Sequence, residues 1–206
     1  DKTGDIPLSE IVKAYLVEKY HKPGEAYLGV VHRLDRPTTG LVLFAKTSKA
    51  LPRLNAAFAT KQEVSKQYWA LVEKKEIPQE ATLTHFLVRN TTQNKSYAYP
   101  NERPQSQKAI LKYKTLASLD HYLLVEITLL TGRHHQIRAQ FAALGCPIKG
   151  DLKYGAKRSN PDGSICLHAR VLELLHPVKK EPLSLIAPLP ENFAKLVEAI
   201  PQRSHL

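Results

Sequence analysis

Five consecutive positions near the start of the chain set one carboxylate among cations: His32-Arg33-Leu34-Asp35-Arg36. The stretch then turns through Pro37 and Gly40 into an apolar run, Leu41 to Ala45. Charged side chains are rarely fully buried unless paired, so a carboxylate flanked by two guanidiniums just before a buried strand is an unusual use of charge. Two readings fit Asp35. In one it is a structural partner of Arg33 or Arg36, or an Asx-type residue in the turn before Pro37. In the other it is a carboxylate kept ionised by nearby arginine, able to act as nucleophile or general base. No second carboxylate lies in the stretch, so the paired-acid arrangement of glycosidases has no local support.

A second cationic stretch is Thr131-Gly132-Arg133-His134-His135-Gln136-Ile137-Arg138. Arg133 stands at the mouth of an expected helix, beside free backbone N–H groups and the positive end of the dipole. That is a ready site for an anion, either a phosphate or a catalytic carboxylate. His134 and Arg138 share a face at a spacing of four, as do Arg133 and Ile137; a solvated basic face accounts for the pattern as well. Tyr68 shares one side of a strand with Lys66, which suits stacking on a base or packing in a core, while Trp69 points the other way and is expected to pack inside. Gly145 to Gly155 is a constrained loop without Gly-Lys-Ser/Thr order. It reads as a wall of the site, with Lys149 and Lys153 touching phosphates. His168 reads as a satisfied core histidine.

These side chains need elements to hold them. Apolar spacing predicts a helix over 7–20, with Leu8, Ile11, Val12, Tyr15 and Leu16 on one face, stopped by His21-Lys22-Pro23-Gly24. Strands are expected at 27–31 and 41–45. Ser48 is expected to cap a helix carrying Leu51, Leu54 and Phe58, with Pro52 in its first turn. Further strands are expected at 66–72, 81–88, 108–116 and 121–130, with 89–107 as a loop. In the last of these strands Leu123, Val125, Ile127 and Leu129 alternate with Leu124, Glu126 and Thr128, giving one fully apolar face. A helix from Thr131 to Leu144, capped by Gly145, a loop over 146–164, strands at 165–175 and 183–187 and a helix over 191–199 complete the chain. Successive strands outnumber helices, which favours an α+β domain with a mixed, largely antiparallel central sheet flanked by helices.

Composition narrows the partners. The 206 residues fit one domain; 43% are hydrophobic and 24% charged, enough for a sizeable core. No apolar run approaches a membrane span and no signal-peptide pattern opens the chain, so the cytoplasm is the default compartment. Cys146 and Cys166 are too few for a disulfide framework. No metal site is expected, since the one tight cluster, His134-His135, sits on adjacent residues that diverge on a helix. A net charge of +11 and a pI near 9.6 point to a polyanion, most simply nucleic acid. The chain lacks methionine and begins Asp-Lys-Thr-Gly; either its true N-terminus is missing or methionine positions were not recorded.

Taken together, the motifs resemble the RluA family of pseudouridine synthases. His32 to Gly40 is similar to its HRLDxxTSG signature, with Thr39 where Ser is usual. Lys66-Gln67-Tyr68 is similar to its Lys-x-Tyr strand, and Thr131 to Arg138 to its TGRxHQIR element. Gly145 to Gly155 is similar to its GxPIxGDxxYG loop, and Leu167-His168-Ala169 to its LHA. A strand reading like NKPAGLLV normally precedes these and is absent here, so residues 1–206 are expected to form a single catalytic domain lacking its first strand, with no S4-type domain ahead of it.

The resemblance implies conversion of uridine to pseudouridine in ribosomal or transfer RNA, with the target base flipped out and with no cofactor or metal. It implies a monomer with no obligate protein partner. Asp35 is then the catalytic carboxylate, attacking C1′ or removing the C2′ proton. Arg133 pairs with Asp35, and Tyr68 stacks on the uracil and helps remove the C5 proton. Leu167 packs against the base, Arg33 and Arg36 handle the RNA backbone or fill the space of the flipped nucleotide, and Thr39, His135 and Arg138 join the substrate-binding set. A catalytically inactive RNA-binding protein on the same fold is the main rival, opposed by the intact Asp35, Tyr68 and Arg133 set. A carboxylate-dependent glycosidase or nuclease is more distant, lacking a second placed carboxylate and metal-ligand spacing.

Overall fold

A computed structural model of the chain describes residues 4–60 and 64–198. The chain divides into two compact units, and it passes between them on either side of the carboxylate turn, at 33/34 and at 41/42.

Of the described residues, the larger unit holds 34–41, 65–173 and 184–198. Its centre is an antiparallel meander in which β4 (Val64–Glu73) pairs with β8 (Tyr122–Leu129), β8 with β7 (Gln107–Ser118), β7 with β5 (Glu80–Asn90), and β5 with β6 (Lys95–Tyr99). At the other side of β4 lie β9 (Leu167–Leu175) and β10 (Pro182–Ile186). The two-residue β2 (Thr39–Gly40) joins β9 in parallel, Thr39 opposite His168 and Gly40 opposite Ala169.

Alternation along β8 decides which face is covered by what. Leu123, Val125 and Ile127 stand opposite Val72, Ala70 and Tyr68 of β4. This face packs against Ile137 and Phe141 of α3 (Gln136–Ala143), with Phe141 edge-on to Tyr113 at 5.5 Å between centroids. Leu71, Leu124 and Cys166 face the other way and bury Phe193 of α4 (Glu191–Glu198). Trp69 packs on this second cluster, as its register predicts, and its indole N–H donates to Glu126. The last position of the expected 191–199 helix, residue 199, lies outside the described residues.

Of the described residues, the smaller unit holds 4–33, 42–60, 64 and 174–183. In it α1 (Leu8–Lys19) presents Leu8, Ile11 and Tyr15 as exposed side chains, and Leu16 alone of the expected face is buried. The short strands β1 (Gly29–Val30) and β3 (Phe44–Ala45) pair antiparallel ahead of α2 (Ala50–Thr60). His32 belongs here: its Nε2 accepts the Leu43 backbone N–H at 2.9 Å and its ring stacks on Phe58 at 5.0 Å.

Four local expectations are corrected. Thr47, not Ser48, caps α2, through its hydroxyl oxygen and the Ala50 N–H at 3.2 Å. The expected loop 89–107 contains β6, because Asn90 Oδ1 accepts the Gln93 N–H and Asn94 takes a positive φ of 46°, making the polar tract a tight hairpin turn. The loop 146–164 contains a turn of 3-10 helix, Leu152–Tyr154. Finally, α3 starts at Gln136 rather than at Thr131, because His135 adopts a left-handed φ of 51° and the preceding residues form a turn. Gly145 does end α3, at φ +72°, with its N–H on Ala142 O and the Cys146 N–H on Phe141 O.

Candidate active site

Asp35 sits in a turn closed by the Thr38 N–H on its own carbonyl at 2.8 Å. The turn is tied down on both sides: the Ile165 N–H reaches Pro37 O, and the Leu41 N–H reaches Ala169 O. Gly40 makes this approach possible, since its φ is +114° and a Cβ there would overlap the Ala169 backbone. Thr39 fastens the same junction through its hydroxyl, 2.8 Å from His168 Nδ1. His168 is buried and edge-on to Phe193, a satisfied core histidine as its context predicts.

The partner of Asp35 is Arg138, not Arg133. From the first turn of α3, Arg138 grips Asp151 in a bidentate pair, Nε to Oδ2 at 2.7 Å and Nη2 to Oδ1 at 2.8 Å. The remaining nitrogen, Nη1, reaches Asp35 Oδ2 at 3.1 Å. One guanidinium therefore serves two carboxylates. Burial works against the charge on Arg138, but the hydrogen bonds and charges of Asp151 and Asp35 outweigh it and hold its pKa above the ordinary value. Asp151 is fully buried, whereas the Asp35 side chain keeps 28% of its surface exposed. Among the described residues, no group donates a hydrogen bond to Asp35 Oδ1.

His135 completes the array. Its Nε2 lies 3.1 Å from Arg138 Nη1 and 3.6 Å from Asp35 Oδ2. A guanidinium can only donate, so Nε2 is the acceptor and the proton sits on Nδ1, which donates to Tyr154 Oη at 2.9 Å. Burial first, then the charge of Arg138, pushes the His135 pKa down to about 3, so the ring is neutral. The left-handed turn at His135 swings this ring into a stack with His134, 3.8 Å between centroids, and edge-on to Tyr154.

Tyr68 projects from β4 into the main core, 7% exposed, in the apolar cluster that also holds Leu167 of β9. Burial, then the Asp35 charge, pushes its phenol up to about 12, so it is a neutral hydroxyl near the carboxylate. Its oxygen has no hydrogen-bond partner among the described residues.

Arg133 lies elsewhere. It is exposed, and its Nε donates to Lys108 O at 3.1 Å. Its own N–H is held by Gln136 Oε1, which also accepts the Thr131 hydroxyl, so the Thr-Gly-Arg turn is pinned to α3 while the arginine side chain leaves the carboxylate. The expected Arg133–Asp35 pair fails because residues 131–135 form a turn where helix was expected. Arg36 is exposed on the carboxylate turn, and Arg33 is exposed in the smaller unit. Lys149 and Lys153 are engaged by protein oxygens: Lys149 by Asn160 Oδ1 at 2.6 Å, Lys153 by the carbonyls of Gln93 and Asn94.

Comparison with known proteins identifies the family. The family described as RNA pseudouridylate synthase matches residues 8–143, most of the chain. The chain belongs to this family. Among its relatives is the ribosomal large subunit pseudouridine synthase D of Haemophilus ducreyi, 32% identical over 185 residues, which cover 84% of this chain and 55% of that protein. An uncharacterized RNA pseudouridine synthase of Chlorobaculum parvum is 35% identical over 189 residues, 84% of this chain and 58% of that one. The chain thus spans about half the length of the curated relatives it matches. The solved structure of human RNA Pseudouridylate Synthase Domain Containing 4 superposes with a TM-score of 0.78 at 26% identity, covering 95% of this chain and 84% of that one. The α+β fold expected from the motifs is therefore the family's.

Within this pseudouridylate synthase fold, sequence reasoning missed Asp151 and Tyr154 as members of the site. Both lay in the quoted Gly-Asp-x-x-Tyr-Gly loop. Sequence spacing offered the neighbouring Lys149 and Lys153, but these bond elsewhere; the partner of Asp151, Arg138, is 13 residues away in sequence and reaches it only through the packing of α3.

Proposed function

We propose that the chain isomerises specific uridines in structured RNA to pseudouridine. Asp35 is the group that engages the ribose, as nucleophile at C1′ or as base at C2′. The observation that carries this reading is the Asp35–Arg138–Asp151 array: a guanidinium locked by one buried carboxylate presents its last N–H to another carboxylate, which keeps one oxygen open. Such fixed charge is the preorganised electrostatics that a reaction with charge developing at the sugar needs. In the reaction the N1–C1′ bond breaks, the uracil turns, C5 bonds to C1′, the C5 proton leaves and N1 gains a proton. No atom is gained or lost, so the balance calls for no co-substrate.

Tyr68 supports the reading as a neutral phenol near Asp35, suited to stack on the uracil and to help move the C5 proton; Leu167, of the same apolar cluster, is suited to pack against the base. A base held in a duplex must first be extruded, at about a few kcal/mol, and the net charge of +11 supplies attraction to the phosphates. The names of the relatives favour ribosomal RNA as the substrate, with transfer RNA as the second candidate.

The test is to incubate purified protein with unmodified ribosomal and transfer RNA transcripts and to map carbodiimide-dependent primer stops. New stops are expected without added cofactor, and Asp35→Ala is expected to abolish them while RNA binding persists. Identical stops with and without protein across all transcripts would overturn the assignment.

A further inference from the structure

The same face of the sheet that carries the Asp35 array continues past it into a second concavity. Register places Leu87 and Arg89 of β5 on the side of α3, opposite Ala98 and Ser96 of β6, with Gln107 of β7 across from Leu87. With Arg133 and His134 from the turn before α3, Leu87, Arg89, Ser96 and Gln107 line a cavity of about 310 Å³, the size of a small-ligand pocket.

Its chemistry is one-sided. Two arginines, Arg89 and Arg133, line it, and no carboxylate does. Neither arginine forms a salt bridge among the described residues. Arg133 is braced through Nε by the Lys108 carbonyl, which leaves its two terminal nitrogens without an acceptor among those residues. Guanidinium donors held in this way suit a phosphate. The amides of Gln105 and Gln107 offer both donors and acceptors to a base edge, and Leu87 provides an apolar floor.

Position links the cavity to the carboxylate. His134 forms its wall and is immobilised, Nδ1 on Ser96 Oγ at 2.8 Å and Nε2 on Asn94 Oδ1 at 3.1 Å. Its other side is stacked on His135, whose Nε2 is 3.6 Å from Asp35 Oδ2. The stacked imidazole pair thus connects the wall of the cavity to the carboxylate.

We propose that this cavity is a subsite for the nucleotide next to the target uridine, with its phosphate held by Arg89 and Arg133. The proposal rests on the reading of the chain as an RNA-modifying enzyme. It explains why a second arginine stands in the Thr-Gly-Arg turn when Arg138 alone serves Asp35.

Arg89→Gln, Arg133→Gln, the double variant and Arg89→Lys test it, with unmodified large-subunit ribosomal RNA and transfer RNA transcripts as probes. Each Gln variant is expected to weaken binding by roughly three- to tenfold, and to flatten the slope of log affinity against log salt by about one. Product formation at limiting RNA should fall in step and recover as RNA is raised. Arg89→Lys should keep most of the salt slope. Once a modified uridine is mapped, a methylphosphonate at a linkage flanking it should weaken wild-type binding yet cost the double variant nothing more.

Unchanged affinity and slope in folded Gln variants would overturn the subsite. So would methylphosphonate effects that add fully to the variants, or that couple to them only at remote linkages. If wild-type protein forms no pseudouridine at all, the catalytic assignment falls, while the binding slopes still decide whether the cavity takes phosphate.

Discussion

Arg138 is the residue on which the site's geometry depends. Its planar fork has three nitrogens in use, two on Asp151 and one on Asp35. A lysine keeps the charge but cannot form the bidentate pair. Arg138→Lys is therefore expected to lower kcat by about 10²-fold or more while RNA affinity stays within a fewfold; pseudouridine formation in single-turnover reactions measures this, and near-wild-type rates would remove Arg138 from the mechanism. Asp151→Ala leaves a buried guanidinium with half its partners and is expected to cost about 3–5 kcal/mol of stability, read from urea unfolding. A cost below about 1 kcal/mol would show that water or Asp35 takes over the pairing. His135 and Arg138 fell within the substrate-binding set on sequence grounds, and the structure does bring both to the carboxylate. Arg133 it does not, because the left-handed turn at His135 is a tertiary choice that helical spacing cannot reveal.

At the level of elements, the junction of β2 with β9 aims the carboxylate. Two residues of parallel pairing, the Leu41 and Ile165 backbone bonds and the Thr39–His168 contact hold the Asp35 turn against β9. Gly40→Ala must relieve both an unfavourable φ and an overlap with the Ala169 backbone. The expected loss is at least about 1–3 kcal/mol from backbone strain alone. Catalysis should fall further than stability, since the turn must leave β9 to fit a Cβ; wild-type turnover in this variant would show that the junction does not position Asp35. The long strands were legible because each buries a face: β8 alternates apolar and mixed residues through Leu129, and β5 and β7 follow suit. β6 was not legible. It is an edge strand of five residues flanked by polar turns, so its pattern, Lys-Ser-Tyr-Ala-Tyr, carries little hydrophobic contrast.

Across the whole molecule, buried neutral histidines tie stability to pH. His135 titrates near 3 in the folded state against about 6.5 unfolded. Below pH 6.5 the unfolded chain gains a proton that the folded chain refuses, so the contribution is complete above 6.5 and is lost as pH falls toward 3, by about 1.4 kcal/mol per unit. His85, His134 and His168 are also shifted down, burial being the leading cause for each, and act in the same direction. Unfolding free energy is expected to drop between pH 7 and pH 5, with His135 contributing up to one proton to the slope, and His135→Gln should shallow it by that much. Stability that stays level over this range would show the imidazoles protonated in the fold. Among the described residues no helix is long and apolar enough to cross a membrane.

What the sequence by itself determined were the order of the motifs, the alternation that makes the long strands and the basic balance that calls for a polyanion. These are local or additive properties, carried by residue type and short spacing. Which arginine meets Asp35 was decided only by tertiary structure, because partners 103 and 13 residues apart converge on one guanidinium through the packing of α3 on the sheet. The same packing sends Arg133 to a cavity on the neighbouring part of that face, so that two arginines five positions apart in one motif end in different surroundings.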